Sequence, residues 1–334
     1  MNDLVKYEQE KDMGPQKYAG NIITRTREYT PQELKMIEQM LREHPVETTV
    51  SMERLLWMDN QMVPGAEMYM ECIWLWSGET KSGLMEEPHV HDFEEVIGFI
   101  SSDPDNPKEL GAVMEINLGD EIHYLTQSCL VHIPAGMKHC PLTFKEVRRP
   151  VFFFTLAPIS QYGRTSGFKN PEAVKKTAFV PPAEADASGT RYGRYIVTRP
   201  KSHAPGGNSA ERPRPANLRA NQIVSLDSEV SPGAFYVDFV WIWSGSMTMS
   251  PQPHKHDFDE MIGIAGAGSP GNARRIGGEV SIDIEGEKYQ IKESSLVYLP
   301  KGIDHCPLEF KDITSPVLCF TIGNTTRWET LKPV

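Results

Sequence analysis

The chain has 334 residues and carries a formal net charge of −11 at pH 7, with 39% hydrophobic and 9% aromatic residues. This length is enough for two domains of ordinary size, and the composition is that of a globular protein. The negative charge argues against nucleic acid and anionic membranes as partners, because both would repel the chain.

The first residues and the cysteines of the sequence indicate a compartment. The N-terminal stretch is too polar for a secretory signal, and no apolar run approaches the length of a membrane span. The five cysteines are odd in number and fit no paired metal-binding spacing. We therefore expect a cytoplasmic protein with reduced thiols.

The first predicted element is a helix that begins with a capping box. Thr30, at the N-cap, is followed by Pro31 at the first helical position and by Glu33, which can reach back to the N-cap amide. The helix is predicted from Pro31 to Arg42, ahead of Pro45. One face would carry four apolar side chains and pack against a barrel: Leu34, Ile37, Met40 and Leu41.

Short strands separated by tight turns make up most of the remaining sequence. In the first half they are predicted at Val113–Leu118, Ile122–Leu125, Leu130–Ile133 and Val151–Leu156, and the second half contains their counterparts. Strands of this length and spacing predict an all-β fold, with a jelly-roll barrel in each half and one short N-terminal helix.

The two halves are copies of one another beyond these strands. The segment 69–78 is repeated at 236–245, and a weaker copy of the segment 18–25 occurs at 192–199. The second copy is shorter ahead of its barrel strands. The counterpart of the helix is therefore predicted to be a proline-rich loop at 204–215.

This duplication predicts two tandem domains, one at 15–158 and the other at 189–327. The segment between them, at 159–188, is rich in Pro, Ala, Gly and Ser and is predicted to be an extended linker.

The most informative stretch runs from Pro88 to Glu95, because a close copy recurs from Pro253 to Glu260. Each copy has two histidines one residue apart and a glutamate four residues after the second. On a strand these three positions share one face, so the side chains can converge. A further histidine follows a Pro-x-Gly turn later in each half. Three neutral imidazoles and a carboxylate suit a divalent first-row metal and leave open positions on an octahedral ion.

A single His-x-His pair is more often a polar surface pair or a core pair than a set of metal ligands. Here six of the ten histidines fall into two patterns that repeat in order and spacing, which favours metal binding. The predicted ligands are His89, His91, Glu95 and His139 in the first half, and His254, His256, Glu260 and His305 in the second.

At these positions the sequence resembles the cupin superfamily, and specifically a bicupin, in which two small β-barrels lie in one chain. The two sequence motifs of that family match all eight predicted ligands, and the resemblance covers about 65–154 and 233–320. It implies two tandem cupin domains and up to one divalent transition metal per domain, with manganese, iron or zinc as the candidates.

The sequence departs from the family pattern at two places. The glycines that follow the ligand glutamates, Gly98 and Gly263, come three residues after them, whereas the family usually has a glycine seven residues after. The Ser-Glu-Asn-Ser lid that marks oxalate decarboxylases is not found, which counts against that member of the superfamily.

Four other residues are candidates for substrate contact. Arg25 and Arg199 each follow a threonine at the end of an apolar strand and could hold an anionic group, although a surface salt bridge is the commoner role. Trp76 and Trp243 could wall the substrate mouth, although core packing is the default. No catalytic side chain is identified with certainty: metal-bound water is expected to act, with Glu95 and Glu260 as candidates beside it.

A metal held in this way favours small substrates that chelate it through two oxygens. The leading hypothesis is hydrolytic carbon–carbon cleavage that opens a small enolisable ring such as a cyclic β-diketone. Cys140 and Cys306 follow ligand histidines directly and would be oxidation targets beside an oxygen-activating iron. The alternatives are a dioxygenase acting on a chelating enol or aromatic substrate, a metal-dependent isomerase or decarboxylase, and a non-enzymatic ligand-binding bicupin.

Two further expectations concern the sites and the assembly. The first site is preferred for catalysis, because the second half has the shorter N-terminal arm and a glycine-rich loop after its glutamate. Assembly into a homo-oligomer is expected from the resemblance to the family alone.

Overall fold

The structure, a computed structural model, describes residues 16–43, 45–83, 86–162, 179–201 and 217–328. Within these ranges the chain is built of β-strands, two short 3₁₀ turns and one α-helix, α1, at Pro31–Glu43. The predicted all-β class with a short N-terminal helix is therefore confirmed.

The strands of the first half contain all four strands that were predicted there. In chain order they are β1 (Ile22–Ile23), β2 (Glu47–Thr48), β3 (Ser51–Met58), β4 (Tyr69–Ser77), β5 (Thr80–Ser82), β6 (Glu95–Ser101), β7 (Glu109–Leu118), β8 (Glu121–Gln127), β9 (Cys129–Ile133), β10 (His139–Val147) and β11 (Val151–Ala157).

The strands of the second half repeat this series, with one long strand where the first half has β4 and β5, and with no counterpart of β2 among the described residues. They are β12 (Ile196–Val197), β13 (Arg219–Leu226), β14 (Tyr236–Met249), β15 (Glu260–Gly266), β16 (Arg275–Ile284), β17 (Glu287–Glu293), β18 (Ser295–Leu299), β19 (His305–Ser315) and β20 (Val317–Gly323).

Each half forms a barrel from two antiparallel sheets. In the first barrel, one sheet has the order β12-β9-β6-β11-β4-β3 and the other the order β10-β7-β8. In the second, the long strand β14 takes part in both sheets and joins them into the order β1-β18-β15-β20-β14-β19-β16-β17, with β13 also paired to β14. Apolar residues from both sheets fill the interior of each barrel.

The two barrels exchange their first short strands. Strand β1 belongs to the first half of the sequence but pairs with β18, where Ile22 lies opposite Val297. Strand β12 belongs to the second half but pairs with β9, where Ile196 lies opposite Val131. Each of these two strands therefore belongs to one half by sequence and to the barrel of the other half by hydrogen bonding.

A third apolar cluster lies between the barrels and joins them. It contains a stack of aromatic rings in which Phe239 lies 4.8 Å from both Phe154 and Phe320, measured between ring centroids. The indole of Trp241 also donates a buried hydrogen bond of 2.8 Å to the carbonyl of Ser101, in the other half. Burial of these rings is the main attraction between the barrels.

Gly98 and Gly263 allow the strands to approach these rings. A Cβ atom at Gly98 would lie 2.0 Å from the ring of Phe154, and one at Gly263 would lie 1.9 Å from the ring of Phe320. Any side chain there would overlap an aromatic ring. Each glycine lies directly opposite its phenylalanine on the neighbouring strand of the same sheet, so it is explained by a ring of the apolar cluster between the barrels that lies over it.

A buried polar contact also crosses between the barrels. The Nδ1 atom of His132 is hydrogen-bonded to the hydroxyl of Ser231 at 2.7 Å, and its Nε2 atom lies 3.4 Å from the carboxylate of Glu94. At the related place in the second barrel, the hydroxyl of Tyr298 donates to Asp259 at 2.7 Å. Such contacts orient the barrels, because a buried polar group without a partner is costly.

The helix begins as predicted, but two leucines of its apolar face are exposed. The amide of Thr30 donates to the Glu33 carboxylate at 2.7 Å, and the Glu33 amide donates to the Thr30 hydroxyl at 3.2 Å. The Leu34 and Leu41 side chains are each 47% exposed. The prediction that these two leucines pack against a barrel is wrong, because an amphipathic pattern defines a face without defining what covers it.

Two predictions fall on segments that the structure does not fully describe. The predicted loop at 204–215 lies outside the described residues, as does 163–178 within the predicted linker. The remaining linker residues, 159–162 and 179–188, form no helix or strand. None of the helices in the described ranges has the length and apolar character needed to cross a membrane.

Candidate metal centres

The eight predicted ligands come together in two clusters of four, one in each barrel. Within each cluster every side chain offers a nitrogen or oxygen atom, and these atoms all lie within 4.8 Å of one another. In the first cluster His139 and Glu95 are 0% and 1% exposed. The convergence inferred from spacing is therefore present in the structure.

The path of the backbone to these clusters differs from the prediction. A strand was expected across the whole first motif, but β6 begins only at Glu95, and His91 lies outside any strand. His89 instead forms an isolated bridge with His139, and each backbone amide donates to the carbonyl of the other at 3.0 and 3.1 Å. This bridge, rather than strand alternation, brings the first histidine to the last one. The second half repeats it with His254 and His305.

The turn before the last ligand is also tied to the first motif. Gly136 adopts a φ of +83°, a conformation that glycine takes without strain, and its amide donates to the carbonyl of His91 at 2.8 Å. Gly302 has the same φ, and its amide donates to the carbonyl of His256 at 2.8 Å. The Pro-x-Gly turn thus holds the two ligand segments of each barrel together.

Hydrogen bonds fix which nitrogen of each bridging histidine faces the centre. The Nδ1 atom of His139 lies 3.0 Å from the carbonyl of Met137, and that of His305 lies 2.9 Å from the carbonyl of Ile303. A carbonyl can only accept, so Nδ1 carries the hydrogen. The neutral ring then presents the lone pair of Nε2 to the cluster, as a metal-ligating histidine does.

This arrangement places hydrogen-bond acceptors against one another in a buried space. The Nε2 atom of His139 lies 3.0 Å from Oε2 of Glu95, and the Nε2 atom of His305 lies 2.7 Å from Oε2 of Glu260. Two lone pairs at such distances repel unless a cation, either a proton or a metal ion, lies between them. Three imidazoles and one carboxylate form a donor set that fits a divalent transition metal.

The charges in the first cluster agree with this fit. Burial lowers the pKa of His91 to about 4, so its ring is neutral near neutral pH and free to ligate. Burial by itself would raise the pKa of Glu95, but the three neighbouring histidines, with His139 foremost, outweigh it and lower that pKa to about 2. The cluster therefore combines the negative charge of Glu95 with a neutral nitrogen donor at His91.

A tyrosine that the sequence did not point to completes the first cluster. The hydroxyl of Tyr162 donates to Oε1 of Glu95 at 3.1 Å and lies 3.0 Å from Nε2 of His91. Its ring is stacked on Tyr69, with 4.6 Å between centroids. Burial and the Glu95 charge raise the pKa of Tyr162 well above its ordinary value, so the hydroxyl keeps its proton.

A tryptophan takes the corresponding place in the second cluster. Trp328 follows His305 at the same sequence separation at which Tyr162 follows His139. Its ring centroid lies 4.5 Å from that of His256 and 4.7 Å from that of Tyr236, the counterpart of Tyr69. The two centres thus have the same types of ligand, but a tyrosine packs against the first and a tryptophan against the second.

The structure does not bring the four predicted substrate-binding residues into these clusters. Trp76 and Trp243 are 5% and 4% exposed and belong to the apolar cluster between the barrels, so the expectation that they wall a substrate mouth is wrong. They share the face of their strands that packs against the other barrel. The side chains of Arg25 and Arg199 are exposed, and their predicted role remains a prediction.

Basic residues two positions further along the chain make the buried ion pairs instead. The Arg27 guanidinium lies 3.4 Å from the carboxylate of Asp59, and the Lys201 ammonium lies 2.6 Å from that of Asp227. Both aspartates are buried, and each also accepts backbone amides of its own turn. An alignment of the two repeats would have shown a basic residue two positions after each Thr-Arg pair.

Two equivalent acidic residues on β4 and β14 differ in whether a cation faces them. Glu71 lies 2.5 Å from the guanidinium of Arg54. Asp238 instead accepts a hydrogen bond of 2.7 Å from the amide of Gln222, and burial raises its pKa to about 6. Its folded pKa therefore exceeds its unfolded value of about 4, and folding binds a proton between about pH 4 and 6. The stability contributed by this group is lost as pH rises through that window.

We expect the substitution Asp238→Asn to remove this pH dependence. The difference in the free energy of unfolding, variant minus unaltered protein, should increase by about 1 to 2 kcal/mol when the pH is raised from about 4 to 7. Urea unfolding at both pH values measures the difference. The matched control, Glu71→Gln, should instead destabilise at pH 7, because it leaves Arg54 without its carboxylate. An equal effect of Asp238→Asn at both pH values would contradict the assignment.

Comparisons with known proteins give a distant structural likeness. No protein-family model matches the chain, and no curated protein matches it in sequence. Solved structures of oxalate decarboxylase from Bacillus subtilis match 86% of this chain and 77% of their own. An arginine-to-alanine variant has a TM-score of 0.47 and 13% identity, a two-residue deletion variant 0.48 and 13%, and a structure from work on its Mn(II) centres 0.47 and 14%.

A sequence identity of 13 to 14% does not carry an activity from one protein to another. The fold and the ligand sets are instead seen in the chain itself. Two antiparallel barrels in tandem each hold three histidines and one glutamate, contributed by a His-x-His motif with its glutamate and by a later Pro-x-Gly turn. The chain therefore has the two-barrel fold and the two ligand sets that its sequence resemblance to bicupins implies.

Proposed function

We propose that the protein is a divalent-metal-dependent enzyme that hydrolytically cleaves a carbon–carbon bond in a small, enolisable, oxygen-rich substrate such as a cyclic β-diketone. The observation that carries the metal dependence is the buried contact between two acceptors, Nε2 of His139 and Oε2 of Glu95, at 3.0 Å. His89, His91, Glu95 and His139 would hold the ion. When bound, it would act as a Lewis acid toward a substrate carbonyl and lower the pKa of water.

The surroundings of the first centre suit a flat, oxygen-bearing molecule. The rings of Phe93 and Tyr162 lie 4.4 and 5.2 Å from that of His91, and Tyr69 is stacked behind Tyr162. Aromatic walls exclude bulk water and offer faces on which a planar enol can lie. The Tyr162 hydroxyl is the polar group among them.

The thiols beside the ligands favour a redox-neutral reaction over a dioxygenase. Cys140 and Cys306 directly follow ligand histidines, and each belongs to the apolar interior of its barrel. Activated oxygen at the adjacent centre would oxidise such sulfur, whereas hydrolysis leaves it unchanged. The chain's charge of −11 supports a small molecule, rather than a nucleic acid, as the partner.

The test uses cyclohexane-1,3-dione, which gains one water to give 5-oxohexanoate. We expect ring opening by the metal-loaded protein at the same rate with and without dioxygen, and at least a tenfold loss after exhaustive chelation, restored by adding back manganese or zinc. Loss of the enol absorbance and the NMR spectrum of the product measure the reaction. Turnover of a chelating enol only in the presence of dioxygen would favour the dioxygenase, and full activity without metal would contradict both.

A further inference from the structure

The segments that follow the last strand of each barrel are held in the same way in both halves. The amide of Asn60 donates to the carbonyl of Ser160 at 2.8 Å, and the amide of Ser228 donates to the carbonyl of Thr326 at 3.0 Å. Two residues further on, these segments place Tyr162 and Trp328 against their metal clusters. The backbone thus delivers two different side chains to one equivalent position.

The aromatic surroundings of these two side chains are also equivalent. Tyr162 contacts Tyr69, His91 and Phe93, and Trp328 contacts the counterparts Tyr236, His256 and Phe258. At this position the two sites therefore differ in the group that each ring carries. A phenol brings a hydroxyl that donates and accepts, whereas an indole brings a single N–H and no acceptor.

The two carboxylate oxygens of Glu95 have different partners. Oε2 faces the histidines, at 3.0 Å from Nε2 of His139 and 3.7 Å from Nε2 of His91. Oε1 accepts the hydrogen bond from Tyr162 at 3.1 Å. A carboxylate held in this way offers one oxygen to an ion and keeps the other occupied.

On this basis, and resting on the proposed function, we propose that Tyr162 is a positioning residue that makes the first centre the one that takes a chelating substrate. By holding Oε1 of Glu95, it would leave one oxygen of this carboxylate to a bound ion, and a chelating substrate could then bring two oxygens of its own. The same hydroxyl lies 3.0 Å from Nε2 of His91, within reach of an oxygen brought to the centre.

The second centre is assigned a different role. Trp328 brings no hydroxyl to Glu260, and its indole lies closer to His256 than the phenol lies to His91, at 4.5 Å against 5.2 Å between centroids. The second centre accordingly binds metal and stabilises its barrel without binding the chelating substrate.

The experiment loads the full chain with Co(II) and titrates it with pentane-2,4-dione, an acyclic chelating β-diketone, while visible absorption is recorded. We expect two cobalt ions and one bound diketone per chain. In Tyr162→Phe, metal content should be unchanged, the Co(II) spectrum should change before any ligand is added, and diketone affinity should fall about tenfold. In Trp328→Tyr a second diketone should bind, whereas the matched control Trp328→Phe should still bind one.

The outcomes separate this inference from the proposed function. Two diketones per unaltered chain, or a Tyr162→Phe variant with unchanged spectrum and affinity, would overturn the role of Tyr162 and leave metal-dependent hydrolysis standing. Absence of cobalt binding, or of any diketone binding to the loaded protein, would overturn the proposed function itself. Tyr162→Phe removes only one oxygen atom, so it tests the inference even if the variants at Trp328 do not fold.

Discussion

Replacement of Glu95 by alanine is expected to release the ion of the first barrel and to abolish activity. The change leaves three neutral imidazoles with no anion, and affinity for a divalent metal should fall by roughly 100-fold or more. Elemental analysis should therefore find the metal content per chain reduced from two ions to one. Calorimetric titration of the demetallated variant should show the loss of one site.

The substitution Glu260→Ala is the matched control for this prediction. It should also remove one ion, but from the second barrel, so that the two variants have equal metal content. Activity should be lost in Glu95→Ala and retained in part in Glu260→Ala, because only the first centre has the Tyr162 hydroxyl. Retention of two ions by Glu95→Ala would show that the first cluster does not depend on its carboxylate, contrary to the geometry.

The second large effect is expected from adding a single methyl group between the barrels. In Gly263→Ala the new Cβ atom would lie 1.9 Å from the ring of Phe320, which is itself buried against Phe239. Phe320 is only 1% exposed, so a shift of its ring would disturb the close packing around it, and we expect a loss of about 3 kcal/mol in the free energy of unfolding. Urea denaturation followed by tryptophan fluorescence measures this loss.

A second substitution tests the cause of that loss. In the double variant Gly263→Ala with Phe320→Leu, the smaller side chain should relieve the overlap, so the two effects should fall short of additivity by at least about 1 kcal/mol. Gly20→Ala is the control, because no atom lies within 4 Å of a Cβ there, and it should change stability by less than about 0.5 kcal/mol. Simple additivity in the double variant would refute the packing explanation.

The ligand sets could be predicted from the sequence because few residue types bind metals. The same spacing of histidine and glutamate in both halves marks these residues as ligands, and the later histidines follow a recognisable Pro-x-Gly turn. The path of the chain between them could not be predicted in the same way. Strand parity placed His89, His91 and Glu95 on one face, whereas in the structure a backbone bridge brings His89 to His139.

Tyr162 and Trp328 were not predicted, because neither their residue type nor their spacing marks them. They follow the last strand of each barrel, where no periodic pattern marks them, and a search for repeats finds identical residues rather than different ones at one position. Alignment of the two halves at their last histidines would have placed them opposite each other. Sequence also misjudged Trp76 and Trp243, because the same apolar strand face serves equally for a substrate mouth and for a neighbouring barrel.

The exchange of β1 and β12 between the barrels affects how the halves can exist apart. A half produced on its own would keep the outer edge of β9 or of β18 but lack the short strand that covers it. An uncovered edge pairs with any suitable strand that it meets, so isolated halves should associate, either with each other or with copies of themselves. The covalent link between the halves keeps each donated strand and its acceptor sheet within one molecule, and so makes that association independent of concentration.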